Sequence, residues 1–387
     1  MRSMHSVLKH GGLFWDQAVT TPAACEKRFK RVQQAVAESG DDAWLVYGDV
    51  QRHGNIAFVS NFLPRVRSAL VFVPRKGAPV LLANIGLRDV PAAKTMTWVD
   101  DIRPFGRLPK DLAALIDQQG LKAARLGTCG FDISLPVSEW EAIEKALPQV
   151  RWASRDDHIA RLRATKDAAD IAALRRASDI ATTALDIAPD VLRPDANLRQ
   201  AIAAIDLAAR RQGAEDTSYM IGISGGSLRP VTDRKLLSGD VLTLYMTVQS
   251  QRYWAEAARS FVLGAADGQL RTLFARGQDV MAAMAAETHA SATAADLARA
   301  AKATLGDEAL LTIALSYGLG NGIGLDCEEG PLVSEADGSF LGANSVLATR
   351  FLVQQNGMGI GLSQTLVTRA KDCESITTPA ALVELAP

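Results

Sequence analysis

The chain has 387 residues, room for two or three domains at roughly 100–200 residues each. Its 48% apolar and 22% charged content is ordinary for a globular protein and excludes a wholly disordered or collagen-like chain. Lys and Arg number 42 against 43 Asp and Glu, a net charge of −1, which argues against a nucleic-acid binder with a basic face. No apolar run reaches the length of about 18 residues that a membrane span requires.

Met1–Gly12 has neither an apolar core nor a small-residue cleavage site, so no signal peptide is expected. Thr20-Thr21-Pro22 caps a helix running from about Ala24 to Glu38, which Ser39-Gly40-Asp41-Asp42 stops. Ala43–Tyr47 reads as a buried strand. Ala69–Val73 and Pro79–Ala83 flank a turn and read as a hairpin. Lys110–Gln118 and Pro136–Leu147 read as helices, with a strand starting at Arg125 between them. Together they predict a mixed α/β domain over residues 13–155, followed by a basic, polar stretch from Arg151 to Lys166.

A helical pattern follows over Asp167–Ile187, with Ile171, Leu174, Ala177, Ile180, Ala184 and Leu185 on one face. Asn197–Gln212 and Leu270–Thr288 are further amphipathic helices, and residues 281–304 form an Ala-rich helical stretch. Val241–Val248 and Tyr253–Leu263 read as strands joined by a polar turn. The Gly-rich stretch from Leu310 to Val383 reads as strands and turns. The four cysteines, Cys25, Cys129, Cys327 and Cys373, form no CxxC pair. They read as reduced thiols, which points to the cytoplasm.

Three blocks of the second half resemble the creatinase/aminopeptidase P/methionine aminopeptidase family, whose fold is called pita-bread. Arg161–Leu185 is similar to the helix that opens the family's catalytic domain. Leu236–Phe261 is similar to its strand hairpin, and Gly318–Pro331 (GLGNGIGLDCEEGP) to its G-x-G-H-G-I-G…H-E-x-P block. Tyr47–Pro74 is similar to the creatinase-type N-terminal domain. The resemblance implies an α/β (α+β) chain: a mixed-sheet domain over 13–155, then a pita-bread domain over 160–387 with a curved antiparallel sheet covered by helices.

It also implies a dinuclear metal site built from two Asp, one His and two Glu. Those positions fall on Tyr245, Glu256, Asn321, Arg350 and either Leu362 or Gln364. Only Glu256 keeps ligand chemistry, and Arg350 would bring a positive charge to where a cation should lie. No metal and no other cofactor is therefore expected. Creatinase works without metal, through a histidine in an H-N-P-V-T-x-R loop. The matching loop here, Gly225–Arg234, keeps Pro230-Val231-Thr232 but has Leu228 at the histidine position. A second family histidine falls on Glu328.

What remains is a polar set. Glu256, Arg350, Tyr245 and Glu328 are the candidate catalytic groups, since a carboxylate can move a proton while Arg and Tyr stabilise an oxyanion. Asn321, Arg229, Glu329, Arg65, Arg67 and His53 are candidate substrate contacts. Arg65 and Arg67 match a segment that leans into the neighbouring active site in creatinase-like dimers. Cys327 reads as a small packed thiol rather than a nucleophile, since no histidine lies near it in sequence. The glycines of 318–324 lack the strand–loop–helix context of a nucleotide site.

Three functions follow. The first is a metal-independent, creatinase-like hydrolase or lyase acting on a C–N bond of a small polar metabolite. The second is a non-catalytic member that binds a ligand or supports an active paralogue. The third, least favoured by the ligand positions, is a metal-dependent Xaa-Pro aminopeptidase or prolidase. The expected partners are a small-molecule substrate and a second subunit, in a homodimer or a mixed dimer with a paralogue, with no nucleic acid and no membrane.

Overall fold

A computed structural model describes residues 14–64, 67–377 and 379–385. The chain divides after Arg163 into two compact units. Unit 1 is built on a six-stranded sheet of order β4-β3-β2-β1-β5-β6. Its strands are β1 Ala43–Asp49, β2 Ser68–Pro74, β3 Val80–Ala83, β4 Asp101–Pro104, β5 Arg125–Cys129 and β6 Arg151–Ser154. The sheet is mixed: β1 runs antiparallel to β2 and parallel to β5.

Helix α1 (Pro22–Glu38) starts where Thr21 accepts the Ala24 N–H and Pro22 presets the first turn. Helices α2 (Leu108–Gln118) and α3 (Val137–Ala146) bury Leu112, Leu115 and Ile143 in one core with Leu45, Phe72 and Leu126. The basic, polar stretch from Arg151 to Lys166 is largely ordered into secondary structure. It forms β6 and then a helix, Asp156–Ala164. Arg155 on Asp41, buried Ile159 and Arg163 on Asn55 tie that helix to unit 1. The boundary expected at 155–160 thus falls inside it.

Unit 2 has two five-stranded sheets, β16-β10-β9-β7-β8 and β12-β11-β13-β14-β15. The long members are the hairpins β9 (Val241–Ser250) with β10 (Tyr253–Leu263), and β13 (Val346–Gln355) with β14 (Met358–Thr368). Pairing is antiparallel except where β16 (Val383–Leu385) joins β10. The hairpins meet along β10 and β14. There the Ala258 N–H donates to Ser363 Oγ at 2.7 Å and the Gly361 N–H donates to Ser260 Oγ at 2.8 Å.

The shorter strands are β7 (Asp216–Ile223), β8 (Arg229–Pro230), β11 (Gly320–Gly322), β12 (Glu329–Leu332) and β15 (Cys373–Ser375). Helices α4 (Ala168–Asp186) and α5 (Leu198–Arg211) cover the first sheet. Helices α6 (Gly268–Ala286), α7 (Ala294–Leu305) and α8 (Glu308–Tyr317) cover the second. Helix α8 corrects the reading of 310–383 as strands and turns: Asp307 caps it by accepting from the Ala309 and Leu310 N–H groups. This is the two-domain, mixed α/β pita-bread architecture, and none of its helices, among the described residues, is long and apolar enough to cross a membrane.

The edge of unit 1 is fixed by Asp41. Its carboxylate is fully buried and accepts from Arg155 at 2.7 and 3.0 Å, Ser39 at 2.8 Å and the Trp44 indole at 2.8 Å. Burial alone would raise this carboxyl; the bonds from Arg155, Ser39 and Trp44 and the Arg155 charge outweigh it and hold it below its ordinary value. A depressed carboxyl stabilises the fold above the unfolded-state range and loses that contribution as pH falls through the folded value. Asp41→Asn is expected to cost about 3 kcal/mol in urea unfolding. It should also flatten the loss of stability that wild type shows below about pH 4. An Asn variant with the wild-type midpoint and pH profile would contradict this role.

Candidate functional site

Strand alternation decides which side chains meet. On β13, Leu347, Phe351 and Val353 enter the helix-side core with Ile360 and Leu362 of β14. Ala348, Arg350 and Leu352 therefore point to the other face. On β10, Phe261 and Leu263 join the helix-side core, which leaves Glu256, Ala258 and Ser260 on the opposite face. Tyr245 pairs with Ala258, and Asn321 pairs with Ala348, so both share that face.

Four side chains close into one cluster. Glu256 Oε2 accepts from the Tyr245 hydroxyl at 2.7 Å and from Arg350 Nη1 at 2.9 Å. Arg350 Nη1 also donates to Asn321 Oδ1 at 2.9 Å, and Nε donates to the Tyr317 carbonyl at 3.2 Å. Tyr317 ends α8, so the guanidinium caps an open carbonyl at the negative end of a helix. Asn321 is oriented in turn by donating to the Gly322 and Cys327 carbonyls at 2.8 and 3.1 Å. Gly318 lies beside the cluster with φ +74°, and a Cβ there would come within 3.3 Å of Arg350 Nη2. Only glycine suits both the backbone and the space.

The Glu256 side chain is 1% exposed and that of Arg350 15%. Glu256 Oε1 is buried with no hydrogen-bond partner among the described residues. Burial and then the Glu256 charge push the Tyr245 phenol well above its ordinary value, so it stays a donor at neutral pH. Burial pulls Arg350 down, but the Glu256 charge prevails and its pKa lies above the ordinary value. The Cys327 thiol is pushed up to about 12, by burial first and Glu256 second. An activated nucleophile needs the opposite shift.

The other candidates have surroundings of their own. Glu329 is engaged by other partners: its Oε2 pairs with buried Lys166 at 2.7 Å, and its Oε1 accepts the Leu325 and Asp326 N–H groups. It locks the turn that carries Cys327. Glu328 and Arg229 are exposed and make no hydrogen bond to the four. In unit 1, His53 is buried with Nδ1 3.1 Å from the Val50 carbonyl, and exposed Arg67 donates to Asn84 at 2.9 Å. Arg65 lies outside the described residues.

The fifth ligand position needs a correction. Leu362 is in the helix-side core, and Gln364 donates to the Met281 carbonyl at 2.9 Å. The residue paired with Arg350, and on its face, is Ser363. Sequence reasoning missed it by one residue. The signal was the alternation of β14 itself, in which Ile360, Leu362 and Gln364 all turn toward helix α6.

Comparison with known proteins agrees with this architecture. Residues 172–370, more than half of the chain, match the model of metallopeptidase family M24, and residues 28–165 match the creatinase/prolidase N-terminal domain. The chain belongs to metallopeptidase family M24, a family of hydrolases. It is 22% identical over 326 residues to a Xaa-Pro dipeptidase of Pyrococcus horikoshii, covering 83% of this chain and 88% of that one. An X-Pro aminopeptidase structure from Thermotoga maritima superposes with TM-score 0.83 at 20% identity, covering 93% and 99% of the two chains. A Xaa-Pro dipeptidase structure from Bacillus anthracis gives 0.80 at 18%, covering 93% and 100%. At these identities the structures carry the fold alone.

The metals that the family name implies do not fit the residues present. A pair of divalent ions needs several anionic or imidazole donors. Here the set is Tyr245, Glu256, Asn321, Arg350 and Ser363, and the one carboxylate already holds a guanidinium. Among the described residues no three His, Cys, Asp or Glu side chains gather as ligands could. Elemental analysis of the purified, untagged protein is expected to find less than about a tenth of an equivalent of Mn, Co, Zn or Fe. A stoichiometric metal would overturn the assignment of these positions.

Proposed function

We propose that this chain is a metal-independent hydrolase or lyase acting on a C–N bond of a small, polar, carboxylate-bearing metabolite. One observation carries the reading: Glu256 is held through Oε2 alone, and Oε1 is a buried acceptor with unused capacity. A carboxylate so placed can act as general base. In hydrolysis, Oε1 takes a proton from water as the water oxygen bonds to the substrate carbon. The proton then passes to the leaving nitrogen as the C–N bond breaks. Tyr245 and Arg350 keep their hydrogen bonds to Oε2 while Oε1 gains and then loses the proton. Arg350 Nη2, which makes no hydrogen bond among the described residues, is the donor available to the substrate's anionic group.

The reading brings with it a cytoplasmic setting and a dimer, with itself or with a family paralogue, in which Arg65 or Arg67 of the second subunit closes the site. It uses no cofactor. A second reading, a non-catalytic member that binds a ligand, is favoured by the shielding of Glu256 beneath its own partners. Hydrolysis of Xaa-Pro peptides, the activity named for the relatives, breaks a bond of the same C–N class.

Chelator-treated protein should be assayed against a panel of carboxylated amides, ureas and guanidino acids, with Xaa-Pro dipeptides in the presence and absence of Mn²⁺. Metal-independent turnover is expected, and Glu256→Gln should lower kcat by about 100-fold or more. The thermal midpoint of the variant shows whether it is folded. Binding without turnover would select the second reading; turnover of Xaa-Pro peptides only with added metal would overturn both.

A further inference from the structure

Unit 1 contains a cleft that the Glu256 chemistry does not use. Its volume is about 290 Å³, and its lining includes Thr128, Phe131, Asp132, Trp140, Trp152 and Ser154. That is near the small end of ligand pockets. The wall is aromatic: Trp140 contacts Phe131 and Trp152 edge-to-face, with centroids 5.7 and 5.1 Å apart. Tyr47 extends the row beyond Phe131 at 6.0 Å.

Two further features set the polarity of the ligand. Thr128 is 5% exposed, lines the cleft, and has a hydroxyl with no hydrogen-bond partner among the described residues. The charge around the cleft is also one-sided. Asp132 is on its rim, with Glu139, Asp156 and Asp157 on neighbouring turns, and none of the four forms an ion pair among the described residues. Asp156 feels this: burial and the charges of Asp132 and Asp157 lift its carboxyl despite bonds from the Gly130 N–H and Ser154.

An aromatic wall beside uncompensated carboxylates suits a cation with an apolar body. We propose that this cleft binds a small organic cation, its apolar part against Trp140 and Trp152 and its ammonium at Asp132. Of the arginines of this edge, Arg155 and Arg125 are committed to Asp41, while Arg151 is exposed and alternates with Trp152 on β6. The site is separate from the cluster of unit 2, so the inference stands or falls independently of the proposed reaction.

The test uses the full chain with 5-fluorotryptophan at its six tryptophans, followed by fluorine NMR. Trp140→Phe and Trp152→Phe assign the two cleft signals. Choline chloride is the probe, and its uncharged isostere 3,3-dimethylbutan-1-ol is the control. Choline is expected to shift those two signals saturably, with at least about tenfold higher affinity than the alcohol. Asp132→Asn, at an exposed residue, should weaken choline about tenfold and leave the alcohol unchanged. Equal affinity for the two probes would make this an apolar cleft only and overturn the proposal. So would unaltered choline binding by Asp132→Asn, or no movement of the two signals up to roughly 50 mM choline.

Discussion

The site in unit 2 is organised by the ion pair between Glu256 and Arg350. A buried carboxylate left alone costs several kcal/mol, and this one is compensated on one oxygen by a guanidinium and a phenol. The pair joins β10 of the first hairpin to β13 of the second, so it also crosses the seam between the two halves. Its geometry sets the rest. Arg350 must reach over Gly318 to the end of helix α8, Asn321 must turn its amide oxygen inward, and Tyr245 must keep its proton. The chain's own charges make this cross-link.

Buried charge is handled in the same way elsewhere. Asp41 gathers Arg155 and Arg125 at the edge of unit 1. Glu215 holds fully buried Arg252 at the tip of the first hairpin, and Glu329 holds Lys166 beneath the turn after β11. That last pair acts on the site indirectly. It fixes the turn whose Cys327 carbonyl orients Asn321, and Asn321 Oδ1 in turn accepts a hydrogen bond from Arg350 Nη1. Removing Arg350 would leave Glu256 buried and unpaired. An Arg350→Ala variant therefore confounds function with stability, contrary to what an arginine facing a solvated cavity would imply.

Much of this was legible in the sequence. Periodicity, with the Thr20-Thr21-Pro22 cap, placed the main helices and the first long hairpin, because an apolar stripe and a cap are local signals. The order of the three family-like blocks carried the fold. It also put Tyr245, Glu256, Asn321 and Arg350 on one list, and the structure brings these four side chains together. Three readings failed, each for its own reason. Leu362 or Gln364 was taken for Ser363 because a one-residue slip on a strand exchanges faces, and only the pairing with β13 fixes the register. Glu329 was read as a substrate contact because its partner, Lys166, is 163 residues away. Helix α8 was hidden by the Gly-rich sequence after it, although Asp307 supplied its cap.

A double-mutant cycle on unfolding free energy tests the ion pair most directly, using Glu256→Gln, Arg350→Met and the two together. Each single variant leaves one buried charge or amide without its partner, whereas the double variant removes both charges. A coupling energy of about 3 kcal/mol is expected, with the double variant more stable than Arg350→Met alone. Additive effects within about 0.5 kcal/mol would contradict it, and the two residues would then not form the interaction on which the site is built.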